Sequence, residues 1–213
     1  PQHMTVMNVV WPGCALFGTL AVVWAYFRYG RLGTMEAHHQ AMERNEKPPN
    51  MTQTPFPVMV GTGALHCGSG CMLGDVAAEW LAFLVPAVGV WFGWHSLFGQ
   101  KIYAVWGADF VFSYALGIVF QYYAIVPMRG LSPGEGLVAA IKAETLSLVS
   151  VQVGMYGFMA CAQFVLFPHL VGDRAPVNSV EFWAAMQVAM VAGCLTSYPV
   201  NWWLVSAGIK ERM

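Results

Sequence analysis

Apolar residues run through this chain in blocks long enough to cross a bilayer, and most polar residues fall between the blocks. A spanning helix needs about 20 apolar residues, and Met7 to Phe27 is one such run. Arg28 to Pro55 is polar, with Arg28, Arg31, Arg44, Lys47 and the pair Pro48-Pro49. Its first half, GTMEAHHQAMER, has helical character, so the pattern predicts a loop holding a short interfacial helix. Phe56 to about Trp94 is too long for one untilted span and awkward for two. It reads as one long tilted helix, bent near Gly68, Gly70 or Gly74 and loosened at its outer end by Pro86. Ile102 to Val126, Gly136 to about Phe167 and Val180 to Ala207 complete the set. The predicted fold class is an all-α integral membrane bundle of five transmembrane helices. Residues 1–55 form an N-terminal anchor and loop, and residues 56–213 form a four-helix core domain. The segment Pro1 to Met7 has neither a basic start nor a small-residue cleavage site, so the first run reads as an anchor rather than a signal peptide.

Lys and Arg orient this bundle. With five spans and the first loop inside, the inner side holds Arg28, Arg31, Arg44, Lys47, Arg129, Lys142, Lys210 and Arg212, against Lys101 and Arg174 outside. Cytoplasmic loops carry the excess of basic residues, which predicts an outside N-terminus and a cytoplasmic C-terminus. Splitting the second segment in two would erase most of that bias.

Composition agrees. Only 10% of the residues are charged, whereas a soluble domain uses about 25% to cover its surface. The net charge of -1 leaves no basic field for nucleic acid. Cys14, Cys161 and Cys194 each stand alone in apolar runs, so the five Cys do not form a disulfide framework; Cys67 and Cys71 alone come as a pair.

Ionisable groups at bilayer depth are costly and usually face a bundle interior or cavity. Here they are His66, Asp75, Glu79, Asp109 and Glu144. Cys67, Cys71, Asp75 and Glu79 recur every four residues and form one stripe on a helix; His66 lies about 100° round from Cys67. Counting from the inner ends, His66, Glu144, Tyr198 and Asn201 share one level, and Asp75 and Asp109 form a second level further out. Each residue also has an ordinary structural role open to it. Cys67 and Cys71 can be small packing residues, His66 a satisfied core histidine, and Asp75 and Glu144 partners of hydroxyl groups. The pairs Met155/Met159 and Met186/Met190 suit core filling or a path for a soft ion. His3, His38 and His39 fall in polar segments, and His95 and His169 near outer helix ends.

The segments HCGSGCMLGD, FQYYAIVPMRGLSPGEG, KAETLSLVSVQVGMYGFM and TSYPVNWWLVSAGIKE resemble an uncharacterised family of bacterial membrane proteins, known as domain of unknown function 4396. The resemblance runs from about Leu65 to Glu211 and rests chiefly on the HCxxGCxxG[DE] pattern. Family members more often carry Asp where Glu144 stands, so the carboxylate is kept. The resemblance implies a four-helix core holding a His-Cys-Cys site, and a bacterial inner membrane location. It implies no activity.

Three functions follow. In the first, His66, Cys67 and Cys71 bind one metal ion, copper before zinc, because an imidazole and two thiolates suit either and the Met pairs favour copper. That requires α-helix distortion at Gly68 and Gly70 to bring His66 round. Glu144 or Asn201 would orient His66, and Asp75, Asp109, Met155 and Met159 would line a polar or soft path. The protein would then transport copper, or hold it as a subunit beside other membrane subunits or further copies of itself. In the second, Cys67 and Cys71 close a disulfide and exchange electrons with quinone. In the third, the polar residues only hold helices in register.

Overall fold

The computed structural model describes residues 1–211; Arg212, one of the residues counted above as inside, lies outside that range. The described residues form helices and connecting turns, with no strand among them. In chain order these are α1 (Met7–Arg28), α2 (Met35–Glu43), α3 (Pro49–Thr52), α4 (Phe56–Leu84), α5 (Ala87–Trp91), α6 (Lys101–Arg129), α7 (Pro133–Cys161), α8 (Phe167–Val171) and α9 (Val180–Ser206). A π-helical turn, Ala162–Leu166, joins α7 to α8 without a break. Below, the inner end of the bundle is the one holding Phe56, Arg129, Pro133 and Ser206; the outer end holds Leu84, Lys101, Val171 and Val180.

Met7–Arg28, Lys101–Arg129, Pro133–Val171 and Val180–Ser206 are long and apolar enough to cross a membrane. Their side chains sort as lipid requires rather than as water requires. Large apolar groups such as Leu195 (70% exposed) and Val153 (65%) face outward, while His66, Asp75, Asp109, Gln121, Glu144 and Asn201 are buried. Soluble proteins do not expose so much apolar surface.

Helix α4 is as long as α6 at 29 residues, but it is not among those four. Its glycines, with His66, Asp75 and Glu79, make it less apolar, and those polar groups are all buried against other helices. It packs along α6 and also touches α1, α7 and α9. It ends at Leu84, earlier than the sequence suggests, and α5 is a separate turn. Pro86 is the cause: it pushes the preceding Val85 out of the helical region (φ -124°, ψ 86°). Helix α4 runs unbroken through its glycines, and Gly70 and Gly74 let α6 approach. A Cβ on Gly74 would sit 2.4 Å from the Cα of Ser113, so the two backbones meet where only hydrogen fits.

The first apolar run does not behave as one straight helix. Thr19 leaves the helical region (φ 46°, ψ -133°), and the chain doubles back there. The Trp11 and Tyr26 rings lie 5.5 Å apart, whereas a straight helix would separate them by about 22 Å along its axis. At the base of the hairpin Gln2 Nε2 donates to the Gly30 carbonyl at 3.0 Å, and the Met35 amide donates to Pro1 at 3.0 Å. Each arm is about 18 Å long or less, against about 30 Å of hydrocarbon. Both ends of the run therefore lie at the same end of the bundle. The expected straight helix is replaced by a helical hairpin, packed on α4 and α9. The run carries no charged residue, and Gly18 and Thr19 alone mark the bend.

Candidate functional site: a buried thiol and carboxylate cluster

The stripe on α4 faces α7. Cys67, Cys71 and Glu144 are fully buried, and one ligand atom from each lies within 4.8 Å of the others. The Cys67 thiol donates to Glu144 Oε1 at 2.8 Å, while Glu144 Oε2 has no hydrogen-bond partner. Helix α6 makes room for this carboxylate: a Cβ on Gly117 would stand 2.3 Å from Glu144 Oε1. Gln121, one turn further along α6, lies beside Glu144. Two thiols and a carboxylate converging from two helices form a donor set fit for a thiophilic cation.

His66 stands apart from that group. Helix α4 is continuous through Gly68 and Gly70, so the imidazole keeps its regular displacement round the helix. It is fully buried, its ring 6.1 Å from that of Phe120, and neither Nδ1 nor Nε2 has a hydrogen-bond partner. A buried polar group left unpaired in this way costs about 1–3 kcal/mol. Asn201 does not orient it. Asn201 instead exchanges hydrogen bonds with Ser147 (3.1 and 2.9 Å) and donates to the Ser197 carbonyl.

The inner end carries a residue the sequence reading left on the surface. Beyond α9, Gly208 takes a left-handed conformation (φ 71°) and turns the chain back into the bundle. Lys210 is thereby buried, and its Nζ donates to Asn201 Oδ1 at 2.7 Å and to Ser147 Oγ at 3.4 Å. Its charge is near enough to act on both Glu144 and His66. The signal was a lysine just past a glycine at the helix end, close in sequence to a buried Asn. The expected shared level thus gathers Glu144, Asn201 and Lys210, whereas Tyr198 bonds to the Pro57 carbonyl at the inner end of α4 (3.1 Å).

The second level is also present. Asp75 Oδ1 accepts from Ser113 Oγ at 2.8 Å and from Gln152 Nε2 at 3.3 Å. Ser113 Oγ also lies 2.9 Å from the Cys71 carbonyl, which ties this level to the cluster. Asp109 is buried on α6 with neither oxygen partnered. Ser113 and Gln152 had no signal in the sequence beyond being polar in apolar runs. Met155 and Met159 are buried in the main apolar core with Met72, Met186 and Met190, the arrangement of packing residues. His38 lies well away, stacked on His3 with ring centroids 4.1 Å apart.

The fold and the site define a helical bundle of membrane type, apolar outside and carrying ionisable groups within. A family model described as "Domain of unknown function (DUF4396)" matches residues 58–210. The chain belongs to that family, and the match covers α4 to α9 with the C-terminal hook, leaving out the hairpin. No curated protein and no solved structure matches the chain.

Proposed function

We propose that this is a metal-handling protein of the bacterial inner membrane that holds one thiophilic ion between α4 and α7. Cys67, Cys71 and Glu144 supply three ligands, and His66 is the neighbouring donor available to an ion that moves or changes coordination. The observation that carries this is the convergence of the three donor atoms within 4.8 Å in a fully buried place, beside an imidazole with no other partner. Copper(I) is the first candidate because two thiols favour a soft ion; zinc is the second, since it also accepts a carboxylate. The role is transport, or metal storage as a subunit beside other membrane subunits or copies of itself.

In this reading α4, α6, α7 and α9 cross the bilayer, and α1 enters and leaves from the cytoplasmic side. Both termini are then cytoplasmic. The basic residues still support the orientation, because Pro1 to Val6 carry no Lys or Arg and the outer loops keep only Lys101 and Arg174. The continuous α4 gives no support to the disulfide alternative, which needs the helix distorted around Cys67 and Cys71.

The test is to purify the protein and its Cys67→Ser/Cys71→Ser variant in equal folded yield, load both anaerobically with copper(I) or zinc, and measure bound metal. One ion per wild-type chain and little in the variant is expected. Equal content in both, or none in either, would overturn the metal reading.

A further inference from the structure

Outward of the cluster, the bundle holds more buried acid than its packing satisfies. Asp75 is 0% exposed, Asp109 1% and Glu79 4%. Asp75 Oδ2 and both oxygens of Asp109 have no hydrogen-bond partner. A non-acidic group repeats the signal from a third helix: Gln152, 2% exposed, points its amide nitrogen at Asp75 and leaves Oε1 unpartnered. Unpaired polar atoms in such a place are expensive, and ionisable groups at bilayer depth mark ion or proton pathways. The three carboxylates do not converge on one point, since among the described residues only Cys67, Cys71 and Glu144 meet the distance needed for a shared ion. They do not form one cation cage.

The column has an open end and a closed end. At the outer end Glu79 lines a cavity of about 180 Å³ together with Lys101, Gln163 and Arg174. At the inner end Lys210, Asn201 and Ser147 are buried and bonded to one another, with Lys210 near enough to act on Glu144. Between them lie Glu79 and Asp75 from α4, Asp109 from α6 and Tyr156 from α7, close enough to act on one another electrostatically. The Tyr156 hydroxyl donates to the Trp106 carbonyl at 2.9 Å. Asp75 stands one helical turn from Cys71 on α4, which brings the column to the cluster, while Ser113 braces Asp75 against the Cys71 carbonyl.

We infer that Glu79, Asp109 and Asp75 form a proton route joining the outer cavity to the thiol and carboxylate cluster. Its use rests on the metal reading above. A thiol that becomes a thiolate ligand gives up one proton for each bond formed to the ion, and a buried thiol must pass that proton on. The carboxylates carry it to the outer cavity, and the same route returns one proton to each sulfur when the ion leaves. Ion binding is thereby coupled to proton release on the outer side.

The route itself is testable without metal. The S–H stretching band of buried thiols is visible in the infrared, and its conversion to S–D in deuterated buffer reports protons reaching them. The part belonging to Cys67 and Cys71 is the part missing from Cys67→Ser/Cys71→Ser. In the folded, metal-free full chain, Asp109→Asn should slow that exchange about tenfold or more, an added barrier of about 1.4 kcal/mol. Glu79→Gln, at the mouth of the cavity, should slow it in the same direction and serves if Asp109→Asn does not fold. Unchanged exchange in the folded variants would overturn the route. So would exchange that slows in Lys210→Met instead, since protons would then enter from the inner end. Failure of metal loading with slowed exchange would sink the metal reading and leave the route standing.

Discussion

Gly74 gives the strongest test of how α4 and α6 are joined. An alanine Cβ there would lie 2.4 Å from both the Cα and the N of Ser113, and 2.5 Å from its Oγ. The obstacle is mostly backbone, so no side-chain rotation relieves it. Ordinary contact begins near 3.4 Å, and the helices must part by about 1 Å at the crossing. Overpacking of that kind costs about 1–3 kcal/mol, and stretching the Ser113 hydrogen bonds to Asp75 and the Cys71 carbonyl adds about 0.5–1.5 kcal/mol. Against this, alanine is better than glycine within a helix by about 1 kcal/mol. The net loss is about 1–3 kcal/mol, which for a chain of this length lowers Tm by about 3–10 °C. Gly157→Ala is the control, because a Cβ there meets nothing within 4 Å, and its Tm should stay level or rise. The assay is thermal unfolding of both variants and wild type in one detergent. A Tm for Gly74→Ala at or above wild type would refute the close crossing.

Thr19→Gly should raise thermal stability by about 1 kcal/mol, because a β-branched residue is strained at positive φ and glycine is not; a lower Tm would count against the bend. Cys introduced at His3 and at Arg44, each in a Cys161→Ser background, should both resist an impermeant thiol reagent in intact cells; labelling of the His3 variant alone would restore a straight first span. Burial first and the neighbouring His3 second hold the pKa of His38 below its ordinary value, and the Asn50 hydrogen bond opposes them only in part. The unfolded segment then takes up the proton first, so packing at the hairpin base is full above about pH 6.5 and weakens as pH falls below it. Proteolysis at Arg31 and Arg44 should quicken on acidification in wild type but not in His38→Gln, and identical pH profiles would refute this. Glu144→Gln should lower metal content while folded yield holds, and unchanged content would remove Glu144 from the ligand set.

The membrane class and the helices α6, α7 and α9 were legible because long apolar runs and charged turns are properties of the sequence itself. The buried polar groups were legible as residues out of place in apolar runs, but Tyr198, counted to the level of Glu144, bonds instead to the Pro57 carbonyl. The hairpin was not, because both arms are apolar and the bend needs only two unremarkable residues, Gly18 and Thr19. The makeup of the cluster was half legible. Fourfold spacing put Cys67 and Cys71 on one face, but rotation about α4 decides whether His66 joins them, and of the glycines that suggested a distortion Gly70 admits α6 while Gly68 faces Cys194 of α9. Glu144 comes from another helix, and Lys210 arrives through a backbone reversal at Gly208; neither contact can be read from spacing along one helix.

X-ray absorption at the edge of the bound metal reads the ligand atoms themselves. The zinc-loaded protein should show two sulfur neighbours at about 2.3 Å and an oxygen at about 2.0–2.2 Å, with the sulfur signal lost in Cys67→Ser/Cys71→Ser. A first shell of nitrogen and oxygen alone would contradict that ligand set.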